Sequence, residues 1–218
     1  MINIVQFGAN SGNDHVTKLI NEKIIPSGKE FHLYLVEPIT QCIEELIQCY
    51  KHVKNVTLEA SAVIPTPTLV GEEGKVNVYY GKGTNYAVSS VYKEHVEKTS
   101  TVENEKGSIE KSQVEKIRVK GYTPTQLFEK WGIKTIDYLF IDIEGLDNEI
   151  VQGIKHRSVD INFICWEHSH HYGGGTVSRS YENLWEWKYA IERIGNESYA
   201  YKRTKNESYI SDIRQWLQ

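Results

Sequence analysis

The opening residues, MINIVQFGANSGN (Met1 to Asn13), constrain this chain more than any others. An apolar run, Ile2 to Phe7, passes straight into Gly8-Ala9-Asn10-Ser11-Gly12, and a helical pattern follows from Asp14. A buried strand, a tight glycine turn and a helix N-terminus in succession predict an α/β sheet. They also predict a ligand pocket, because glycines let the backbone approach closely and the first helical N–H groups point at whatever binds there. A dinucleotide fingerprint needs three glycines, G-x-G-x-x-G. Only two are in register here, so the loop suits a mononucleoside without phosphates better than NAD. An ordinary strand-to-helix turn with no ligand would read the same way.

Strand and helix then alternate. FHLYLVEP (Phe31 to Pro38) is an apolar strand ending in an acid, and the helix after it carries Ile39, Cys42, Ile43, Leu46, Ile47 and Tyr50 at helical spacing. Val56 to Val63 reads as a third strand and Gly74 to Gly81 as a fourth extended segment. From Gly83 to Gly121 the rhythm breaks into a charged stretch poor in core residues, expected to be an insertion or mobile lid, with Val114 to Val119 adding a short edge strand. Regularity returns with a helix capped by Thr123 and then the strongest buried strand, Thr135 to Gly145. A helix over Asn148 to His156, a strand over Ile161 to His168 and a helix over Ser180 to Gly195 follow. Glu197 to Thr204 and the tail from Glu207 supply the last strands. The pattern predicts one domain, residues 1–218, built on a doubly wound, mostly parallel sheet with right-handed crossovers.

Composition narrows the function classes. With 39% hydrophobic and 25% charged residues, the chain can build an ordinary globular core. A net charge of −4 gives no support for nucleic acid or an anionic membrane as partner. No apolar run approaches the ~20 residues of a membrane span. The first strand begins at Ile2, which leaves no room for a cleavable signal peptide, so a cytoplasmic location is expected. Three cysteines, Cys42, Cys49 and Cys165, lack metal spacing and read as reduced thiols.

In such sheets ligands bind outside the carboxyl ends of the strands. Three polar clusters fall there: Glu37; Asp142 with Glu144; and Glu167 with His168. An acid at the end of the second strand, about 20 residues past the glycine loop, can accept from both ribose hydroxyls of a nucleoside. Asp142 and Glu144 point the same way if the strand continues through Ile143. Asp147 and Glu149 already supply negative charge to the next helix N-terminus, which leaves Asp142 and Glu144 for a site. In EHSHHYGGG, His168, His170 and His171 stand beside Glu167. Their spacing matches no helix-borne metal pattern, and a base or acceptor-pocket role for one of them fits better.

Taken together, these clusters resemble the FkbM-type family of S-adenosylmethionine-dependent methyltransferases, over Ile4 to about His168. VQFGANSGN is similar to the family's first motif, V-I-D-V-G-A-N-x-G, and LVEP to its second-strand motif. Ser61 to Val63 and the GKVNVYYG strand resemble the segment after strand three. Tyr122 to Ile154, which holds IDIEG, resembles T-L-D-x-L…D-x-L-K-I-D-V-E-G-x-E-x-x-V-L-x-G, and Trp166-Glu167-His168 the strand-five E-x-H element. Gln6 stands where the family carries an acid and Phe140 where it carries a lysine, and the sequence opens directly on the first strand, so the usual preceding helix is not expected.

The resemblance implies a class I methyltransferase fold with a seven-stranded sheet and helices on both faces. It implies S-adenosylmethionine as cofactor and methyl transfer to a hydroxyl of a small molecule, a sugar, a glycan or a glycosylated metabolite. Gly8, Asn10 and Gly12 would wrap the methionine part, with Gln6 accepting a hydrogen bond from its amino group. Glu37 would hold the ribose, and Ser61 and Ala62 would lie near the adenine. Asp142, Glu144 and His168 would face the acceptor, His168 as base, with Asp142 also within reach of the cofactor's amino acid portion. No resident metal is expected. A divalent ion among Asp142, Glu167 and His168 is the alternative enzyme reading, and a partner subunit that keeps the fold without the cofactor is the non-catalytic one. Tyr172, Tyr181, Trp185, Trp187 and Tyr189 are candidates for stacking on a sugar or for core packing.

Overall fold

The computed structural model describes residues 1–82, 86, 88–103, 109–154, 158–168 and 177–203. The chain opens with β1 (Ile2–Phe7), α1 (His15–Leu19) continued by a π-helical turn, β2 (Phe31–Val36), α2 (Thr40–Cys49), β3 (Val56–Glu59), β4 (Ala62–Val63) and β5 (Lys75–Gly81). The middle holds α3 (Lys93–Thr99), β6 (Thr101–Glu103), β7 (Ile109–Lys111), β8 (Val114–Tyr122) and α4 (Pro124–Trp131). It closes with β9 (Thr135–Ile141), α5 (Asp147–Gly153), β10 (Asp160–Glu167), α6 (Val177–Glu186), β11 (Tyr189–Ile194) and β12 (Glu197–Lys202).

Seven strands form one sheet in the order β11-β12-β10-β9-β1-β2-β3. All neighbours from β10 to β3 run parallel, and β12 is antiparallel to both of its neighbours. This is the strand order of the class I methyltransferase fold. It reverses between β1 and β9, so the crevice beyond their carboxyl ends is where a ligand is expected. Alternation along the strands builds two cores. Ile4, Leu33 and Phe140 pack with Val16, Ile20 and Leu46 beneath α1 and α2. Val5, Phe7 and Leu139 pack with Phe128, Ile150 and Leu184 beneath α4, α5 and α6. Helices therefore cover both faces. Among the described residues no helix is long and apolar enough to cross a membrane.

Three segments differ from the sequence expectation. The third strand divides at Ser61: β3 joins the main sheet, while β4 turns into a small sheet ordered β4-β8-β5. In that sheet β8 is the central strand and not an edge, because it pairs with β5 over residues 114–120 and with β4 at Gly121 and Tyr122. The helix expected over Ser180 to Gly195 stops at Glu186. Lys188 takes φ +67, which ends the helix, and Tyr189 begins β11, with its hydroxyl donating to the Ile161 carbonyl. Gly195 at φ +61 and Asn196 then form the two-residue loop into β12. The tail from Glu207 lies outside the described residues.

Candidate functional site

The glycine loop is held from three sides. The N–H groups of Gly8 and Ala9 donate to the Val36 carbonyl (3.0 and 3.1 Å), which ties the loop to the end of β2. Gly8 has φ +77, and a Cβ there would lie 1.7 Å from the Asp142 backbone oxygen. Only glycine lets β1 leave the sheet this close to the end of β9. Gly12, also left-handed, is covered by Leu46, Cys49 and Tyr50 of the α2 region and closes the turn without facing the crevice. Its carbonyl accepts from the Thr17 hydroxyl.

Glu37 binds the loop to α2. Its Oε2 accepts from the Asn10 N–H (2.8 Å) and its Oε1 from the Ile39 N–H (2.9 Å), and the side chain is 3% exposed. Burial pushes this carboxyl up to about 7, against the two N–H donors, which favour its ionised form. Asp147 behaves alike: it accepts from the Ile143 and Gly145 N–H groups (3.0 and 3.1 Å), and burial raises it to about 7. Both folded-state values lie above the unfolded ones. The folded chain therefore holds protons that the unfolded chain releases, and this stability, present below about pH 4, is lost as pH rises through about 7. The loss is on the order of 3 kcal/mol per carboxyl. We expect the melting temperature to fall between about pH 5 and 8, and Glu37→Gln, which cannot ionise, to flatten that slope. Unfolding curves across the window check this.

The sequence assigned Asp147 to its helix N-terminus. In the structure it folds back over residues 143–145 and shapes the loop that carries the two site acids. Glu144 takes φ +58 within that loop, its carbonyl accepts from Ser90 Oγ (2.7 Å), and its Oε2 lies 3.0 Å from His95 Nε2. His95 is fully buried on α3, inside the segment expected to be an insertion. Sequence reading gave it no role, since a lone histidine in a charged stretch carries no local signal.

Two clefts meet at this loop. The first is lined by Gly8, Asn10, Glu37, Ser61 and Ala62 on one side and by Asp142 and Glu144 on the other. The second, about 300 Å³, is lined by Gln6, His15, Cys165 and Glu167 together with the same Asp142 and Glu144. Those two acids are the residues common to both. Asp142 is open to solvent, yet it lies in a concave, acidic mouth. Desolvation first, then the charges of Asp147, Glu144, Glu167 and Asp14, hold its carboxyl well above the usual carboxylate range.

Of the residues singled out in the sequence, Gly8, Asn10, Glu37, Ser61, Ala62, Asp142 and Glu144 come together in the first cleft. Gln6 lies in the second. It is 2% exposed, and its Nε2 donates to Asp14 Oδ2 (2.6 Å), while Asp14 Oδ1 caps α1 through the Val16 and Thr17 N–H groups. An acid at position 6 would face this carboxylate at the same distance. A glutamine supplies a donor instead, which accounts for the departure from the family motif.

His168 is brought to neither cleft. It is 6% exposed, with Nδ1 3.0 Å from Ser198 Oγ and Nε2 2.6 Å from the Arg193 guanidinium. Arginine only donates, so Nε2 is the acceptor in this contact, and Nδ1 faces the Ser198 hydroxyl. His170, His171 and Tyr172 lie outside the described residues. Tyr181 and Tyr189 are packing residues, against Trp166 and β10 respectively. Trp185 is 62% exposed, with the Arg203 guanidinium 4.0 Å over its ring.

The first cleft fits a nucleoside cofactor on its own terms. The loop leaves a cradle that a Cβ at Gly8 would fill. Ser61 is fully buried at the cleft wall, and its Oγ has no hydrogen-bond partner. Such an atom is costly unless a ligand supplies the missing bond.

The protein-family pattern that matches the chain is the methyltransferase FkbM domain, over residues 6–218. No curated protein matches it in sequence. Among solved structures it is similar to the methyltransferase FkbM from Methylobacillus flagellatus KT, at 13% identity and a TM-score of 0.45 over 92% of this chain and 43% of that one. It is similar also to Aeropyrum pernix fibrillarin with natively bound S-adenosyl-L-methionine, at 12% identity and a TM-score of 0.44 over 91% of this chain and 66% of that one. A methyltransferase from Geobacter sulfurreducens matches at 10% identity and a TM-score of 0.42, over 92% and 70% of the two chains. The chain thus spans under half the length of the FkbM structure. Likenesses this distant add nothing to what the strand order already gives.

Proposed function

Because the chain belongs to the methyltransferase FkbM family, whose members draw their methyl group from S-adenosylmethionine, we propose that it transfers that group to a hydroxyl oxygen of a sugar, a glycan or a glycosylated metabolite. One observation carries the cofactor half of this reading. Glu37, buried at the end of β2 and fixed by two backbone N–H groups, lines the same cleft as the glycine turn and the unpartnered Ser61 hydroxyl.

Each Glu37 oxygen keeps a lone pair for a ribose hydroxyl after accepting its backbone bond. Ser61 and Ala62 would meet the adenine. Gly8 and Asn10 would border the methionine part, toward Asp142. When bound there, the cofactor would supply a methyl on a cationic sulfur, already activated for an acceptor oxygen, so these residues mainly position it. Asp142 and Glu144, which line both clefts, stand where methyl and acceptor must meet. Glu144 takes the hydroxyl proton, and its carboxylate is held in place by His95. His168, engaged by Arg193 and Ser198, keeps the β10–β12 corner in order instead.

We expect Glu144→Gln to lower kcat by roughly 10²–10⁴, the range for a lost general base, while cofactor affinity stays close to that of the parent chain. The acceptor class is tested by supplying isotopically methyl-labelled cofactor with a panel of sugars and glycosides and locating the label by NMR. An O-methyl signal is expected. Labelling of nitrogen or carbon would contradict the reading.

A further inference from the structure

The second cleft gathers a set of carboxylate oxygens, of which the transfer step proposed above uses only those of Glu144. Asp142 and Glu144, beyond the end of β9, and Glu167, at the end of β10, each place a carboxylate oxygen within 4.8 Å of the others. Strand order makes the cluster, because β9 and β10 are parallel neighbours whose carboxyl ends reach the same rim. No lysine or arginine among the described residues lines this cleft. Like charges this close repel, and a cation among them relieves the repulsion.

A separate observation points to a ligand at the same place. Gln6 lines the cleft with these acids, is 2% exposed and spends its Nε2 on Asp14, yet its Oε1 has no hydrogen-bond partner. A buried amide oxygen left without a donor is uncommon in a folded protein. Three converging carboxylates, with an amide oxygen lining the same cleft, offer hard oxygen ligands of the kind that Mg²⁺, Mn²⁺ and Ca²⁺ take. Glu144 is oriented from behind by His95, as carboxylates around metals commonly are.

We propose that Asp142, Glu144 and Glu167 bind a divalent cation of the Mg²⁺/Mn²⁺ class on the acceptor side of the crevice, with Gln6 Oε1 completing the oxygen set directly or through a bound water. The ion would hold two neighbouring oxygens of the acceptor, which orients a sugar by its adjacent hydroxyls. That role rests on the O-methylation reading above, whereas binding of the ion does not. The set differs from the sequence-based alternative in having Glu144, and not His168, as its third member.

Mn²⁺ is the probe. Zn²⁺ is avoided because His15, Cys165 and Glu197 also converge within 4.8 Å in this cleft and suit a softer ion. The full chain, without cofactor or acceptor, is titrated with Mn²⁺ and free ion is read by electron paramagnetic resonance. Saturation at one ion per chain is expected. Glu167→Gln should weaken binding by roughly ten-fold or more. Glu197→Gln, in the same cleft but outside the triad, should leave it unchanged. Circular dichroism confirms that both variants fold. Absence of binding in the parent chain overturns the proposal, as does equal loss in both variants, which would mean a diffuse acidic surface. S-adenosylmethionine binding measured on the same samples keeps the two readings apart. A chain that takes the cofactor but not Mn²⁺ loses the cation site and keeps the transferase.

Discussion

Replacing Gly8 with alanine is expected to abolish cofactor binding and to destabilise the fold by roughly 2–5 kcal/mol. The added Cβ would meet the Asp142 backbone oxygen at 1.7 Å and its carbonyl carbon at 2.7 Å, and neither is the end of a flexible side chain. The Asp142 N–H donates to the Phe7 carbonyl (3.0 Å), so the two strand ends cannot part without breaking the ladder at the switch point. A left-handed φ adds its own cost for any residue with a Cβ. Gly28 separates the two causes. It has φ +67 but nothing within 4 Å of its Cβ position, so Gly28→Ala should cost only about 1–2 kcal/mol and leave ligand binding intact. Thermal unfolding with calorimetric titration of both variants checks the pair. Equal losses would mean that backbone conformation alone, and not the close approach of β1 to β9, shapes the crevice.

Glu37→Ala has the second largest expected effect. The substitution removes both acceptors for the ribose and releases the Asn10 and Ile39 N–H groups, which loosens the loop that forms the other wall of the cleft. Hydrogen bonds to a charged group are worth about 1.5–3 kcal/mol each, so losing two predicts a fall in cofactor affinity of roughly 10²–10⁴. The free protein should lose stability as well, because the Asn10 and Ile39 N–H groups are left without their acceptor. A variant with parental affinity would remove Glu37 from the cofactor's contacts.

The parts of the site that were legible in the sequence share a form. β1 with its glycine turn, β2 with Glu37 and β9 with Asp142 and Glu144 are each an apolar run broken by a glycine or an acid, and such signals are local. What was missed depends on contacts far apart in the chain. His95 meets Glu144 across 49 residues, from a segment whose charge reads as solvated loop. Ser61 was picked out in the sequence, but not the division of its strand between two sheets that brings it to the cleft wall. The placement of His168 follows from a single misread element. Residues 189–194 continue the helical spacing of Trp185 and Tyr189, so they read as helix. As β11 they carry Arg193 back to the carboxyl end of β10, where it donates to the imidazole that sequence alone offered as a base. Gln6 looked like a loss of charge at the first motif. Its partner Asp14, eight residues on, explains the exchange.

The central claim is that the cleft at the β1–β9 switch point holds the sulfur nucleoside through Glu37. Calorimetric titration of the parent chain and Glu37→Ala with S-adenosylmethionine and S-adenosylhomocysteine, with NAD as control, tests it most directly. Micromolar binding of both sulfur nucleosides by the parent, none of NAD, and loss of binding in the variant are expected. Binding of neither nucleoside by the folded parent chain would contradict the account and make the partner-subunit reading the better one.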